Sequence, residues 1–449
     1  MTTHHHSTDD FAELAELMRD ERESAERRAP AEARARRIRR RRGLIAVVTV
    51  MMLVLAAVGA YVVWALNAPL SAPSVTSQVP QVEPPAAAAI AVPPEGISAI
   101  SIAGADDYFT ADVSGGWAAG AADERRPIGS ITKLITALVI LEARPLASPD
   151  DPGPTLTFSE SDNDLYDKYY VLGATTAEMP TGSSMSQYDA LSTMLVPSAS
   201  NYAEAVSTWA FGSQGAFLSA TQTWLAANGL GGTTVVEPTG ISAQNTSTVT
   251  DLLAIGKLAA ANPVVAAIAA TPSIALPGPG SLSNTNTLLG GEITGLKTGN
   301  LGEGTHNLLY TATVEVGADA PLSVTGVVLG GFSRDTVGQG VRALLDSIRA
   351  GFHEVVVANK GQDIGTYTTP WGATAQMVIA ENASIFTWSD TPIEASMTPS
   401  ATVTYDDGEQ VGTIDWVAGP HTTSAAIEIE GEIEPPSAWW RLTHPSELG

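Results

Sequence analysis

The sequence predicts an α+β chain built in separate parts, and three observations carry that prediction. An uncharged apolar span lies near the N-terminus, apolar helical stretches surround a strand–turn–strand in the middle, and short period-2 runs fill residues 353–449. At 449 residues the length allows about three domains.

The uncharged span is residues 44–66, LIAVVTVMMLVLAAVGAYVVWAL. Its 23 residues, at about 1.5 Å each, cover a hydrocarbon core of ~30 Å with a little tilt. Residues 34–42 hold seven arginines and no acid, while Tyr61 and Trp64 stand near the other end. The positive-inside rule then puts the N-terminus in the cytoplasm, with the aromatic pair at the outer interface. A cleaved signal peptide would have an apolar region of only about 7–15 residues, so the span reads as an uncleaved transmembrane anchor in the cell membrane.

Around it, residues 1–43 are charged and poor in aromatics, which predicts a mostly disordered cytoplasmic tail with some helical tendency. The HHH at 4–6 reads as a tag remnant or solvated accident. Residues 67–94 carry Pro69, Pro73, Pro80, Pro84, Pro85, Pro93 and Pro94, the composition of an extended spacer that lifts a globular part off the membrane.

Composition narrows the chemistry. Without cysteine there is no thiol nucleophile, disulfide or thiolate metal site. Beyond residue 43 the formal charge is about −27, which argues against nucleic acid as a partner. Cationic sites within that part are local and purposeful. No spacing supports a metal or other cofactor, and none is expected.

In RRPIGSITKLITALVILEA, residues 125–143, a helix apolar on nearly every side begins with Ser130 and Lys133, three positions apart and hence on one face. Alone, such a pair is weak evidence, since Ser130 could cap the helix and Lys133 could snorkel to solvent. Further on, MLVPSASNYAEAV, residues 194–206, places Ser198 and Asn201 in a short polar break between helical stretches. ITGLKTGNLGEGTHNLLYTATV, residues 293–314, reads as a strand, a tight turn and a return strand with Lys297, Thr298 and Gly299 on the first. The ordered set SxxK, Ser/Asn break and K-T-G is the signature of serine penicillin-recognising enzymes.

From about residue 95 to 352 the chain resembles the D-alanyl-D-alanine carboxypeptidases, the low-molecular-weight penicillin-binding proteins. VVEPTGISAQNTSTVTDLLAIGKLAAANP, residues 235–263, is similar to the family's middle region, where Glu237-Pro238-Thr239-Gly240-Ile241 stands for a usual D-P-S-G-L. The resemblance implies a β-lactamase/transpeptidase-like fold with a site between a helical subdomain and an antiparallel five-stranded sheet. It implies trimming of peptidoglycan stem peptides ending in D-Ala-D-Ala, with β-lactams as inhibitors.

In these terms Ser130 is the nucleophile that forms an acyl-enzyme, and Lys133 is its general base. A lysine of ordinary pKa near 10.4 is almost never neutral at pH 7, so burial and nearby positive charge such as Lys297 must lower it by about three units. Ser198 relays a proton to the leaving amine. Lys297 and Thr298 hold the substrate carboxylate. Gly299 lets the substrate lie along the strand. The N–H groups of Ser130 and Asn300 form the oxyanion hole. The family's second motif is most often Ser-x-Asn, whereas Ser200 occupies the third position here and Asn201 follows. Either the asparagine shifts by one position or a hydroxyl replaces an amide.

His306 reads as a surface or supporting residue, since no G-x-S-x-G elbow accompanies it. Residues 353–449, with runs EVVV, AQMVIA, ATVTY, VGTIDWV and AAIEIE, predict a small all-β domain that acts as a stand. Trp439 and Trp440 near its end read as packing residues. Two alternatives to an active carboxypeptidase stay open: a relative that binds wall peptides or partners without turnover, and a β-lactamase. Class A β-lactamases also need a Ser-Asp-Asn motif, which the chain lacks.

Overall fold

The computed structural model describes residues 9–104, 108, 117–318, 320–400, 406–431 and 433–449. The run ATVTY (401–405) and the HHH (4–6) lie outside the described residues. In chain order the principal helices are α1 (Asp9–Asn67), α2 (Thr132–Ala143), α3 (Glu160–Val171), α4 (Gln187–Leu195), α5 (Ser200–Phe211), α6 (Gln214–Ala227), α7 (Val249–Ala261), α8 (Pro263–Ala269), α9 (Arg334–Ala350) and α10 (Ala438–Thr443).

A five-stranded antiparallel sheet lies at the centre. Its strands are β2 (Ile97–Ala103), β3 (Trp117–Ala119), β4 (Ile293–Gly299), β5 (His306–Val314) and β6 (Leu322–Gly331), in the order β4-β5-β6-β2-β3. Alternation along the strands divides its two faces. Leu308, Tyr310, Ala312 and Val314 join Val341, Leu344 and Ile348 of α9 on one side. Leu296, Leu309, Val327 and Leu329 face the other side, where α2, α4, α5, α6, α7 and α8 pack as a helical lobe. Inside that lobe α2 has to be apolar all round, because Thr132 through Leu141 are buried on every side.

The chain then builds a second, all-β unit with its own core around Trp416, Met377 and Ile427. β7 (Phe352–Ala358) pairs with β10 (Ala383–Trp388). A six-stranded sheet combines β8 (Asp363–Thr368), β9 (Thr374–Ile379), β11 (Glu394–Pro399), β12 (Gln410–Ala418) and β13 (His421–Glu430). Its sixth member is β1 (Ser74–Ser77), far back in the chain, and the order is β1-β8-β9-β13-β12-β11.

That last strand corrects the reading of residues 67–94 as an open spacer. The run Ser74–Gln78 contains no proline, so its N–H groups are free to join a ladder. Ser74 pairs with Thr368 and Ser77 with Gly365, and the Gln78 N–H donates to the Ile364 carbonyl at 2.9 Å. Val79 and Val82 pack on the β core. The Ala88 and Ala91 N–H groups donate to Ser389 Oγ at 2.7 Å and Ser347 Oγ at 2.9 Å. The proline-rich stretch is therefore strapped along the second unit and α9. The tail differs too: α1 begins at Asp9 and runs unbroken to Asn67, as a stretch rich in alanine, arginine and glutamate permits by intrinsic propensity. Within α1, Arg36–Asn67 is long and apolar enough to cross a membrane, and its side chains from Leu44 to Ala60 are exposed.

Candidate active site

Ser130 sits in a single 3₁₀ turn, Gly129–Ile131, that leads directly into α2. The turn depends on two close approaches. A side chain on Gly299 would put its Cβ 2.2 Å from the Ile128 carbonyl oxygen, and one on Gly240 would lie 1.9 Å from that of Gly129. Gly240 also has φ +83, which suits glycine alone. The structure thus adds a reason for glycine at 299: its hydrogen lets β4 press against the serine turn.

Lys133 follows one turn later on the same face and is completely buried. Its Nζ donates to Ser130 Oγ at 3.0 Å and to the Thr239 carbonyl at 2.7 Å. Burial lowers its pKa from the ordinary 10.5 to about 7, and the Glu237 carboxylate pulls the other way. Burial is the largest cause of that lowering. Lys297 is likewise pushed well below the usual lysine value, by burial first and then by the charges of Lys133 and Arg334.

Glu237 organises the loop that supplies the Thr239 carbonyl. Its carboxylate accepts from the N–H groups of Thr239 and Gly240, each at 2.7 Å, from Thr239 Oγ1 at 2.7 Å and from Asn245 Nδ2 at 2.9 Å. Thr136 Oγ1 of α2 donates to the Pro238 carbonyl at 2.8 Å, tying the same loop to the helix.

Ser198 occupies the break between α4 and α5 with φ +71, a left-handed conformation uncommon for a residue with a Cβ. Its Oγ is buried with no hydrogen-bond partner among the described residues. Ser200, at the first turn of α5, lines the same cleft of about 460 Å³ as Ser130 and Ser198. Asn201 does not. Its side chain is spent on a backbone clasp, with Nδ2 donating to the Ala177 carbonyl at 2.8 Å and Oδ1 accepting from the Ala177 N–H at 3.1 Å. Of the two alternatives for the second motif, the hydroxyl faces the cleft and the amide turns away.

On the opposite wall are Thr298, Asn300 and Arg334. Lys297 lies beneath it, 2% exposed, with Nζ donating to Thr285 Oγ1 at 3.1 Å and to the Thr298 carbonyl at 3.3 Å. Thr298 Oγ1 donates to the same Thr285 hydroxyl at 2.7 Å. Asn300 Oδ1 accepts from the Gly302 N–H at 2.8 Å, which fixes the turn after β4. His306 lines a small neighbouring cavity with Asn300 and Arg334, away from Ser130.

Two residues of this wall escape sequence reasoning. Thr285 belongs to a polar stretch, SNTNT, with no periodicity. Arg334 is the first residue of α9 after the Ser333 cap, and the only local signal is that cap. The guanidinium is exposed to the cleft and has no carboxylate partner among the described residues.

A family model described as D-alanyl-D-alanine carboxypeptidase matches residues 105–332. A D-alanyl-D-alanine endopeptidase of Pseudomonas aeruginosa is 29% identical over 218 residues, which is 47% of this chain and 65% of that protein. The chain thus spans somewhat less than two thirds of that relative's length. Among solved structures, penicillin binding protein 5 from Haemophilus influenzae is 17% identical with a TM-score of 0.49, covering 79% of this chain and 100% of that one. A D-alanyl-D-alanine carboxypeptidase from Mycobacterium tuberculosis is 20% identical with a TM-score of 0.48, covering 60% of this chain and 95% of that one.

Proposed function

The chain belongs to the D-alanyl-D-alanine carboxypeptidase family, and from that premise we propose that it is a membrane-anchored serine-type D-Ala-D-Ala carboxypeptidase that trims peptidoglycan stem peptides. One observation supports this above the rest: a fully buried lysine amine, its pKa lowered by burial to about 7, 3.0 Å from the hydroxyl of a half-buried serine that lines a cleft.

Neutral Lys133 takes the Ser130 proton as Oγ attacks the carbonyl of the penultimate D-alanine. The developing oxyanion meets the N–H groups of Ser130 and Asn300, each such donor contributing about 3 to 4 kcal/mol. Ser198, whose hydroxyl has no other partner among the described residues, passes a proton to the departing amine. The substrate's terminal carboxylate lies against Thr298 and Arg334, with Lys297 beneath them. Ser200 and the adjoining wall receive the acyl side. Water then hydrolyses the acyl-enzyme along the same proton path. α1 anchors the chain with its N-terminus in the cytoplasm and the catalytic unit outside.

The test is labelling with a fluorescent penicillin, followed by D-alanine release from a pentapeptide and, in parallel, cleavage of a cross-linked stem-peptide dimer. Ser130→Ala abolishes labelling and turnover, a loss of about a millionfold for a missing serine nucleophile. An adduct on another residue overturns the assignment. Turnover of the dimer alone makes the protein an endopeptidase instead.

A further inference from the structure

Residues 441–449 meet the end of the membrane helix and the segment that follows it. α1 ends at Asn67, and a helix end leaves its last four carbonyls without partners inside the helix. Here Arg441 of α10 supplies the missing donor: its guanidinium bonds the Ala68 carbonyl at 2.8 Å and the Ala65 carbonyl at 3.4 Å. A cation at this end also complements the helix dipole. Tyr61 Oη donates to the Leu442 carbonyl at 2.8 Å, and both the N–H and Oγ of Ser71 donate to the Glu447 carbonyl. The Gly449 N–H closes the clasp on the Pro69 carbonyl at 2.8 Å. Ala65, Ala68 and Leu448 form a small buried core under it, with Trp440 and Leu442 packed alongside.

α10 is therefore fixed at the depth of Tyr61 and Trp64, where an aromatic belt marks the edge of the hydrocarbon. Its own aromatics divide. Trp440 stacks on His444 with centroids 4.7 Å apart and meets Trp371 of the β unit edge-on at 6.0 Å. Trp439 is 75% exposed, the shape of side chain that favours a boundary between apolar and wet surroundings.

We propose that residues 437–449 form a collar on the transmembrane helix that seats Trp439 in the headgroup layer of the outer leaflet. The collar joins the second unit to the bilayer through residues 67–71 and 437–449 together. The proposal rests on the reading of α1 as a membrane anchor, and the experiment separates the two. Because the native chain has no cysteine, single cysteines can be labelled cleanly in the full-length protein. An environment-sensitive fluorophore is placed by Trp439→Cys, by Ala438→Cys at the neighbouring exposed position, by Met51→Cys within the span and by Val171→Cys on the catalytic unit. Each protein is reconstituted into phosphatidylcholine vesicles carrying a nitroxide either on the headgroup or deep in the acyl chain.

The headgroup nitroxide quenches the labels at 438 and 439 at least about twofold more than the label at 171, while the acyl nitroxide quenches the label at 51. Labels at 438 and 439 that behave like the label at 171, with 51 still quenched, overturn the collar alone. A label at 51 that no acyl nitroxide reaches overturns the membrane anchor and the collar with it.

Discussion

Replacing Lys133 by methionine separates stability from activity, because the amine proposed as the general base opposes folding. Its ordinary pKa of 10.5 falls to about 7 in the fold. The unfolded chain therefore binds the proton more tightly, and the stability contribution of this group rises with pH between about 7 and 10.5. Linkage gives a cost to the folded state of about 4 kcal/mol at pH 7, shrinking to about 1 kcal/mol at pH 9.5. Methionine fills much of the same volume and removes that cost. It also orphans the Thr239 carbonyl, a loss of about 1 to 3 kcal/mol that does not depend on pH. The difference in unfolding free energy between Lys133→Met and the parent therefore falls by about 3 kcal/mol from pH 7 to pH 9.5, whatever the orphaned carbonyl contributes. Urea unfolding of the detergent-solubilised protein at the two pH values measures it, and penicillin labelling of the variant is lost. A difference that stays constant across this range means that Lys133 keeps an ordinary pKa in the fold. The general-base argument then fails.

Two further substitutions test the walls of the cleft. Ser198→Ala lowers the turnover rate by at least about a hundredfold, as loss of a proton relay does, whereas Asn201→Ala lowers stability by about 1 to 3 kcal/mol through the unclasped Ala177 backbone and leaves the rate of the folded protein nearly unchanged; equal rate losses, read against unfolding midpoints, refute this division. Arg334→Leu reduces kcat/KM about 10- to 150-fold for a peptide with a free terminal carboxylate, the range for a charged hydrogen bond, and has little effect on a C-terminal amide. Equal losses on both peptides refute the carboxylate role.

The parts of the fold set by local pattern are legible in the sequence. α2 is apolar on every side and buried on every side, and β4 with its return strand follows directly from ITGLKTG and HNLLYTATV. Ser130 and Lys133 fall on one face because three residues are nearly one turn, and that geometry does not depend on the rest of the chain. Contacts made across the fold are a different matter. Ser200 and Asn201 are adjacent in sequence, and only the position of Ala177, on the loop before α4, decides which one meets the cleft. Arg334 reaches the cleft because α9 packs on β5, the strand beside β4, a fact of sheet packing that no local pattern encodes. The prolines of residues 67–94 report the absence of donors and extended backbone, and cannot say what that backbone lies against. Low aromatic content in the tail argues against a packed core, yet a helix of alanine, arginine and glutamate needs none.

The strap formed by residues 74–93 has a mechanical consequence. The chain enters the second unit through β1, leaves it for the catalytic unit and returns at β7, so the catalytic unit is one excursion from a sheet already begun. Its departure and return lie side by side: a Cβ built on Gly351 would fall 3.0 Å from that of Ala88. A pull applied through residue 67 first loads the β1–β8 ladder in shear, along four paired residues, together with the Arg441 clasp. The line of force ends in the second unit. Ser130 and Lys133 stand off that line, so a load that opens the seam at Ser74–Ser77 leaves their 3.0 Å contact in place.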